Sequence, residues 1–129
     1  MHSSTILVVD DCDLTQMVIA MEIAQFNPSL AIVEAYDGQE ALEKLRDMPS
    51  PPDVIFLDIN MPRMNGHDFL EAYHSGPMEH GAVAMMSSSS LDEDRQRAEQ
   101  YDCVKHYFTK PFCAQHLQQT VPHLAAAAA

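Results

Sequence analysis

Residues 5–11, Thr-Ile-Leu-Val-Val-Asp-Asp, decide the fold. Five apolar or β-branched residues in an unbroken run suit a strand buried on both faces. Two adjacent aspartates then end it abruptly. From Leu14 the apolar residues Leu14, Met17, Val18, Met21 and Ala24 recur at helical spacing, with Asp13 as the expected N-cap and Asn27-Pro28 as the stop. A strand followed by a helix is the unit from which the rest of the chain is built.

The same alternation runs to the end of the chain. Further strands are expected at Leu30–Glu34, Val54–Leu57, Ala82–Met86 and Val104–Phe108. Helices are expected at Gly38–Asp47, Gly66–His74 and Leu91–Tyr101, and from Cys113 to about Leu124. Five such units predict a doubly wound α/β domain, a five-stranded parallel sheet flanked by five helices. Ligands of such sheets bind beyond the carboxyl ends of the strands. Those ends carry Asp10 and Asp11, Asp58, Ser87, and Thr109-Lys110-Pro111.

Composition bounds the answer. With 129 residues, 47% of them apolar, the chain fits one domain with a substantial core, expected over residues 1–124. Ala125–Ala129 would be a tail that extends the last helix, frays, or is an expression remnant. No apolar run is long enough to span a membrane and no leader pattern opens the chain, so a cytoplasmic location is expected. Nineteen acidic against seven basic residues give a charge of −12, which disfavours direct binding to nucleic acid or anionic lipid. Three cysteines without a CxxC pair, Cys12, Cys103 and Cys113, suit reduced thiols with a packing role. The methionines, on apolar faces or in strands, are likewise assigned to packing.

The strand ends would bring three carboxylates together. Like charges about 4 Å apart repel by roughly 4 kcal/mol at an effective dielectric near 20, so the cluster calls for a cation. A hard divalent ion that takes oxygen ligands and keeps an open side, such as magnesium, fits. Lys110 supplies a point charge for a phosphate oxygen. Neutralised in this way, an Asp carboxylate can attack phosphorus, and Ser87 is placed to donate to the new phosphoryl group.

Four stretches carry a resemblance. Ile-Leu-Val-Val-Asp-Asp (6–11), Leu-Asp-Ile-Asn-Met-Pro-Arg-Met-Asn-Gly (57–66), Ser87 after Val-Ala-Met-Met, and Tyr-Phe-Thr-Lys-Pro-Phe (107–112) resemble the receiver domain of two-component response regulators. The likeness covers about residues 5–124. It implies the flavodoxin-like strand order 2-1-3-4-5. It also implies that Asp58 is the phosphoacceptor, and that Mg2+, or Mn2+, is held by Asp11, Asp58, the backbone carbonyl of Asn60 and, through water, Asp10. Lys110 would contact the phosphoryl group, with a cis bond to Pro111. Ser87 would shift toward the phosphate and Tyr107 would turn inward, remodelling the face made by the fourth helix, fifth strand and fifth helix.

The implied partners are a histidine kinase or histidine phosphotransfer protein upstream, and a protein target or a second copy at that face. The chain would be no enzyme beyond its own phosphorylation and dephosphorylation. It would serve as a stand-alone regulator or relay intermediate, or as the receiver of a larger regulator with an output domain. Ser87 stands where threonine is commoner, Ser88 where alanine is, and Asp102 near an expected glycine. An Asp-nucleophile phosphohydrolase is disfavoured because Asp10-Asp11-Cys12 lacks its Asp-x-Asp pattern and no cap domain fits the length. A flavin-phosphate carrier is disfavoured because two aspartates would repel that phosphate.

Overall fold

The computed structural model describes residues 4–61, 63–76, 80–87 and 92–125. Expectations touching Pro62, Ser88, Leu91 and Ala126 to Ala129 lie outside them. The strands are β1 (Thr5–Val9), β2 (Ala31–Ala35), β3 (Val54–Asp58), β4 (Ala82–Ser87) and β5 (Val104–Thr109). The helices are α1 (Asp13–Phe26), α2 (Gly38–Asp47), α3 (Gly66–Ser75), α4 (Asp92–Glu99) and α5 (Ala114–Thr120). All four strand pairings are parallel, in the order β2-β1-β3-β4-β5 that the resemblance implies.

The unbroken apolar strands follow from burial on both faces. Along β1 and β3, alternate residues serve opposite layers, as the two-residue period of a strand demands. Leu7, Val9, Ile55 and Leu57 pack with Leu42 and Leu45 of α2 and Phe69, Leu70 and Tyr73 of α3. Ile6, Val8, Val54 and Phe56 pack with Ile19 and Ile23 of α1 and Leu117 of α5. Each fully buried aliphatic or aromatic side chain contributes roughly 1.5–3 kcal/mol from water exclusion. This sandwich holds the strand ends in line, with Val9 opposite Leu57, Asp58 opposite Met86 and Ser87 opposite Thr109.

Expectations for the end of α5, the N-cap of α1 and the cysteines are corrected. The fifth helix stops at Thr120, and a single 3-10 turn, Pro122–Leu124, replaces its expected continuation. Proline has no N–H for the helical ladder and disfavours helical backbone at the residue before it, here Val121 at φ −135°, ψ 55°. The N-cap of α1 is Cys12, and Asp13 lies in the first turn. Cys12 and Cys113, the N-cap of α5, are both exposed, so packing accounts only for the buried Cys103.

Helix α1 is apolar on both sides. Its buried residues are Gln16, Ile19 and Ile23. The stripe that marks it as a helix faces outward, with Leu14, Met17 and Met21 exposed by 68%, 60% and 59%. Met17 and Met21 are therefore not the packing residues the sequence suggests, whereas Met85 and Met86 are. Asp102 keeps a negative φ and needs no glycine; the left-handed non-glycine among the described residues is Arg63, at φ 61°.

Candidate functional site

Asp10, Asp11 and Asp58 meet where β1 and β3 end side by side. One oxygen of each carboxylate lies within 4.8 Å of those of the other two. Asp10 and Asp58 are buried, while Asp11 is exposed and leaves the cluster open on one side. Lys110, carried in by the end of β5, spans the gap. Its Nζ donates to Asp10 Oδ2 at 2.8 Å and lies 3.3 Å from Asp58 Oδ1. The Lys110–Pro111 peptide bond is cis.

One lysine does not neutralise three carboxylates. Burial, and then the negative charge of Asp10, push the Asp58 carboxyl up to about 6 even though Lys110 pulls it back. For Lys110, burial acts to release the proton, but the Asp10 and Asp58 carboxylates outweigh it and raise its pKa. The excess negative charge, the all-oxygen donor set and the open side fit a hard divalent cation. Asp10, Asp11 and Asp58 are the residues that would hold it.

The loop after β3 is held close to this cluster. Gly66 N–H donates to Ile59 O at 2.8 Å, and Ile59 N–H to Met86 O at 3.3 Å. A Cβ at Gly66 would stand 2.6 Å from the Asp58 carbonyl oxygen, so only glycine permits this approach. Asn60 is exposed within the loop. At its far side Arg63 donates through Nε and Nη2 to Asp37 Oδ2, at 2.8 and 2.6 Å. Asp37 also caps α2 through the Glu40 N–H. Burial pushes the Asp37 carboxyl up, but that N–H and the guanidinium hold it below its ordinary value.

Ser87 is buried at the end of β4, and its carbonyl accepts from Lys110 N–H at 2.7 Å. It is thereby tied to the same rim as the carboxylates. Tyr107, two residues before Thr109, is half-buried with Arg95 of α4 5.9 Å over its ring. Its hydroxyl is already buried. It comes near Ser87 but makes no hydrogen bond of normal geometry among the described residues, and burial raises its pKa. A further contact to α4 was missed in the sequence. Buried His67 of α3 pairs through Nε2 with Asp94 Oδ1 at 3.0 Å. The partners lie 27 positions apart, and neither has a local signal that would have linked them.

The chain matches the response regulator receiver domain family over residues 6–122. It is 38% identical over 95 residues to a protein-glutamate methylesterase/protein-glutamine glutaminase of Desulfotalea psychrophila, covering 74% of this chain and 25% of that protein. A two component response regulator from Cytophaga hutchinsonii superposes with a TM-score of 0.82 at 27% identity, covering 96% of this chain and 98% of the other. The phosphorylated cyanobacterial phytochrome response regulator RcpA superposes at 0.77, also at 27% identity, covering 95% and 91%. The chain spans less than half the length of the first curated relatives. No described helix is long and apolar enough to cross a membrane. With its fold, its acidic rim and a family match over nearly all its length, the chain belongs to the receiver domains of two-component response regulators.

Proposed function

We propose that residues 1–124 form a phosphorylation switch in which Asp58 accepts a phosphoryl group from a histidine kinase or histidine phosphotransfer protein. The observation that carries this reading is the placement of Asp58 against Lys110, beside two further carboxylates at an open rim. An Asp58 oxygen forms the new P–O bond as the donor's P–N bond breaks, and the departing imidazole takes a proton from water. Lys110 loosens from Asp58 and holds a phosphoryl oxygen. Ser87 donates its hydroxyl to another. A bound Mg2+ or Mn2+ ion supplies the positive charge that offsets the carboxylates and the phosphoryl oxygens. Asp11 and Asp58 would ligate it directly, with the Asn60 carbonyl, and Asp10 through water.

A protein donor is supported by the exposed apolar stripe of α1. Leu14 and Val18 share a groove with Lys110, Pro111 and Phe112 beside the acceptor, and such patches mark contact surfaces. The output is proposed to be the face of α4, β5 and α5, reached through Ser87 and Tyr107 and read by a protein target or a second copy. As a stand-alone regulator or relay intermediate, the chain would present that face to a separate protein. The greater length of its curated relatives favours a second reading, in which the face controls an attached output domain.

Intact mass after incubation with acetyl phosphate, with and without Mg2+, tests the reading on wild type and Asp58→Asn. One added phosphoryl group that needs the metal and is absent from the variant is the expected result. An unmodified wild type, or a modified Asp58→Asn, would overturn it.

A further inference from the structure

Helix α1 places a polar side chain where its core-facing stripe calls for an apolar one. Gln16 is 2% exposed, on the same face as Ile19 and Ile23. Its Nε2 lies within bonding distance of three carbonyls: Ala35 at 3.0 Å, Asp10 at 3.1 Å and Val8 at 3.2 Å. Two N–H hydrogens serve three acceptors, so at least one bond is shared. The amide thus ties the ends of β1 and β2 to the first turns of α1. Its own Oε1 is buried without a partner among the described residues. A methionine would fill the same space without orphaning that oxygen, so packing alone does not explain an amide here.

What the amide holds is Asp10. Every polar group of that residue has a partner. The N–H donates to Ala35 O at 3.0 Å, Oδ1 accepts from Cys12 N–H at 2.9 Å, Oδ2 accepts from Lys110, and the carbonyl accepts from Gln16. The Asp10 carbonyl belongs to the peptide plane from which Asp11 departs. Fixing that oxygen fixes the plane, and with it the direction in which Asp11 enters the cluster. This constraint matters because the three carboxylates lie within 4.8 Å of one another and repel, which opposes the closed turn.

We infer that Gln16 is a positioning residue for the divalent-cation site, holding the Asp10–Asp11 turn in its ligating geometry through the Asp10 carbonyl. The inference rests on the proposed reading of Asp10, Asp11 and Asp58 as a magnesium site. It is tested by Mg2+ titration calorimetry on the full chain, comparing wild type, Gln16→Met and Gln16→Asn. The control is Asn27→Ala, which removes a side-chain bond to a backbone carbonyl, Nδ2 to Leu124 O at 3.0 Å, at the other end of α1.

Both Gln16 variants are expected to bind Mg2+ about tenfold more weakly, equivalent to about 1.4 kcal/mol, while Asn27→Ala binds as wild type does. Phosphorylation by acetyl phosphate should fall at limiting Mg2+ and recover at saturating Mg2+. Gln16→Asn keeps a polar amide and provides the measurement should Gln16→Met not fold. Wild-type affinity in a folded Gln16 variant, or an equal loss in Asn27→Ala, overturns the inference and leaves the magnesium site standing. A wild-type chain that binds no Mg2+ overturns both.

Discussion

The two halves of the strand-end rim differ in how completely their polar groups are bonded. On the side of β1 and β3, all four polar groups of Asp10 are partnered, and Lys110 bridges two carboxylates. On that side the buried polar atom without a partner among the described residues is Gln16 Oε1, whereas on the side of β4, β5 and α4 there are two, the Tyr107 hydroxyl and His67 Nδ1. Helix α4, Asp-Glu-Asp-Arg-Gln-Arg-Ala-Glu, buries Ala98 and is otherwise polar. It is also held by Asp94 on His67 and Arg95 over Tyr107. The first half has the rigidity that positioning chemistry demands. Among the described residues the second has few buried contacts, and on the proposed reading a single new charge nearby would shift it.

The largest effect that could break this contrast is expected from Lys110→Ala. It leaves the buried Asp10 carboxylate without its countercharge, at a cost on the order of 3–5 kcal/mol of stability. Phosphorylation by acetyl phosphate should slow by roughly a hundredfold or more, as when a charge-stabilising donor is removed from other sites. Ser87→Ala, on the other half, should slow the same reaction far less. Denaturant unfolding and timed mass spectra check both, and equal rate losses would erase the distinction.

Next in size is Asp58→Asn without metal. The Asp58 carboxyl is raised from its ordinary value of 3.8 to about 6 in the fold, so the folded chain holds this proton more tightly than the unfolded one. The stability due to this group is therefore present at low pH and is lost as pH rises through about 6. Removing the charge should stabilise the metal-free protein by about 2–3 kcal/mol above that pH. The gain should shrink as pH falls below about 6 and vanish only well below 3.8, where Asp58 is protonated in both states. Urea melts across this range decide it, and a gain that grows toward acid would contradict the assignment.

Much of the fold was legible because burial on both faces leaves short apolar runs rich in β-branched residues, as at Thr5–Val9 and Val54–Leu57. Asp10, Asp11, Asp58 and Lys110 were legible because strand ends in a parallel sheet converge. Periodicity established α1 as a helix but could not tell which of its two apolar stripes is buried. Met17 therefore read as core, and Gln16 drew no reading at all. The end of α5 had a local signal, Pro122, whose missing N–H and effect on Val121 mark a stop at Thr120, four residues before the expected Leu124. His67–Asp94 and Arg63–Asp37 join residues 27 and 26 positions apart, and only the assembled sheet brings them together.

The smallest effect sharpens the other side of the contrast. Tyr107→Phe removes a buried hydroxyl that lies near Ser87 and makes no hydrogen bond of normal geometry among the described residues. It should raise the stability of the unphosphorylated chain by about 1 kcal/mol, read from the unfolding midpoint. A loss of similar size would mean that the hydroxyl is bonded and that this half is not under-bonded.

Hydrogen exchange of the backbone amides, followed by mass spectrometry on the full chain with Mg2+ before and during exposure to acetyl phosphate, tests the account most directly. Changes are predicted in α4 and β5, residues 92–99 and 104–109, while β1 and the first turns of α1 keep their protection. Loss of protection spread through residues 5–9 and 13–26, or no change in α4 and β5 once the phosphoryl group is shown to be bound, would contradict it.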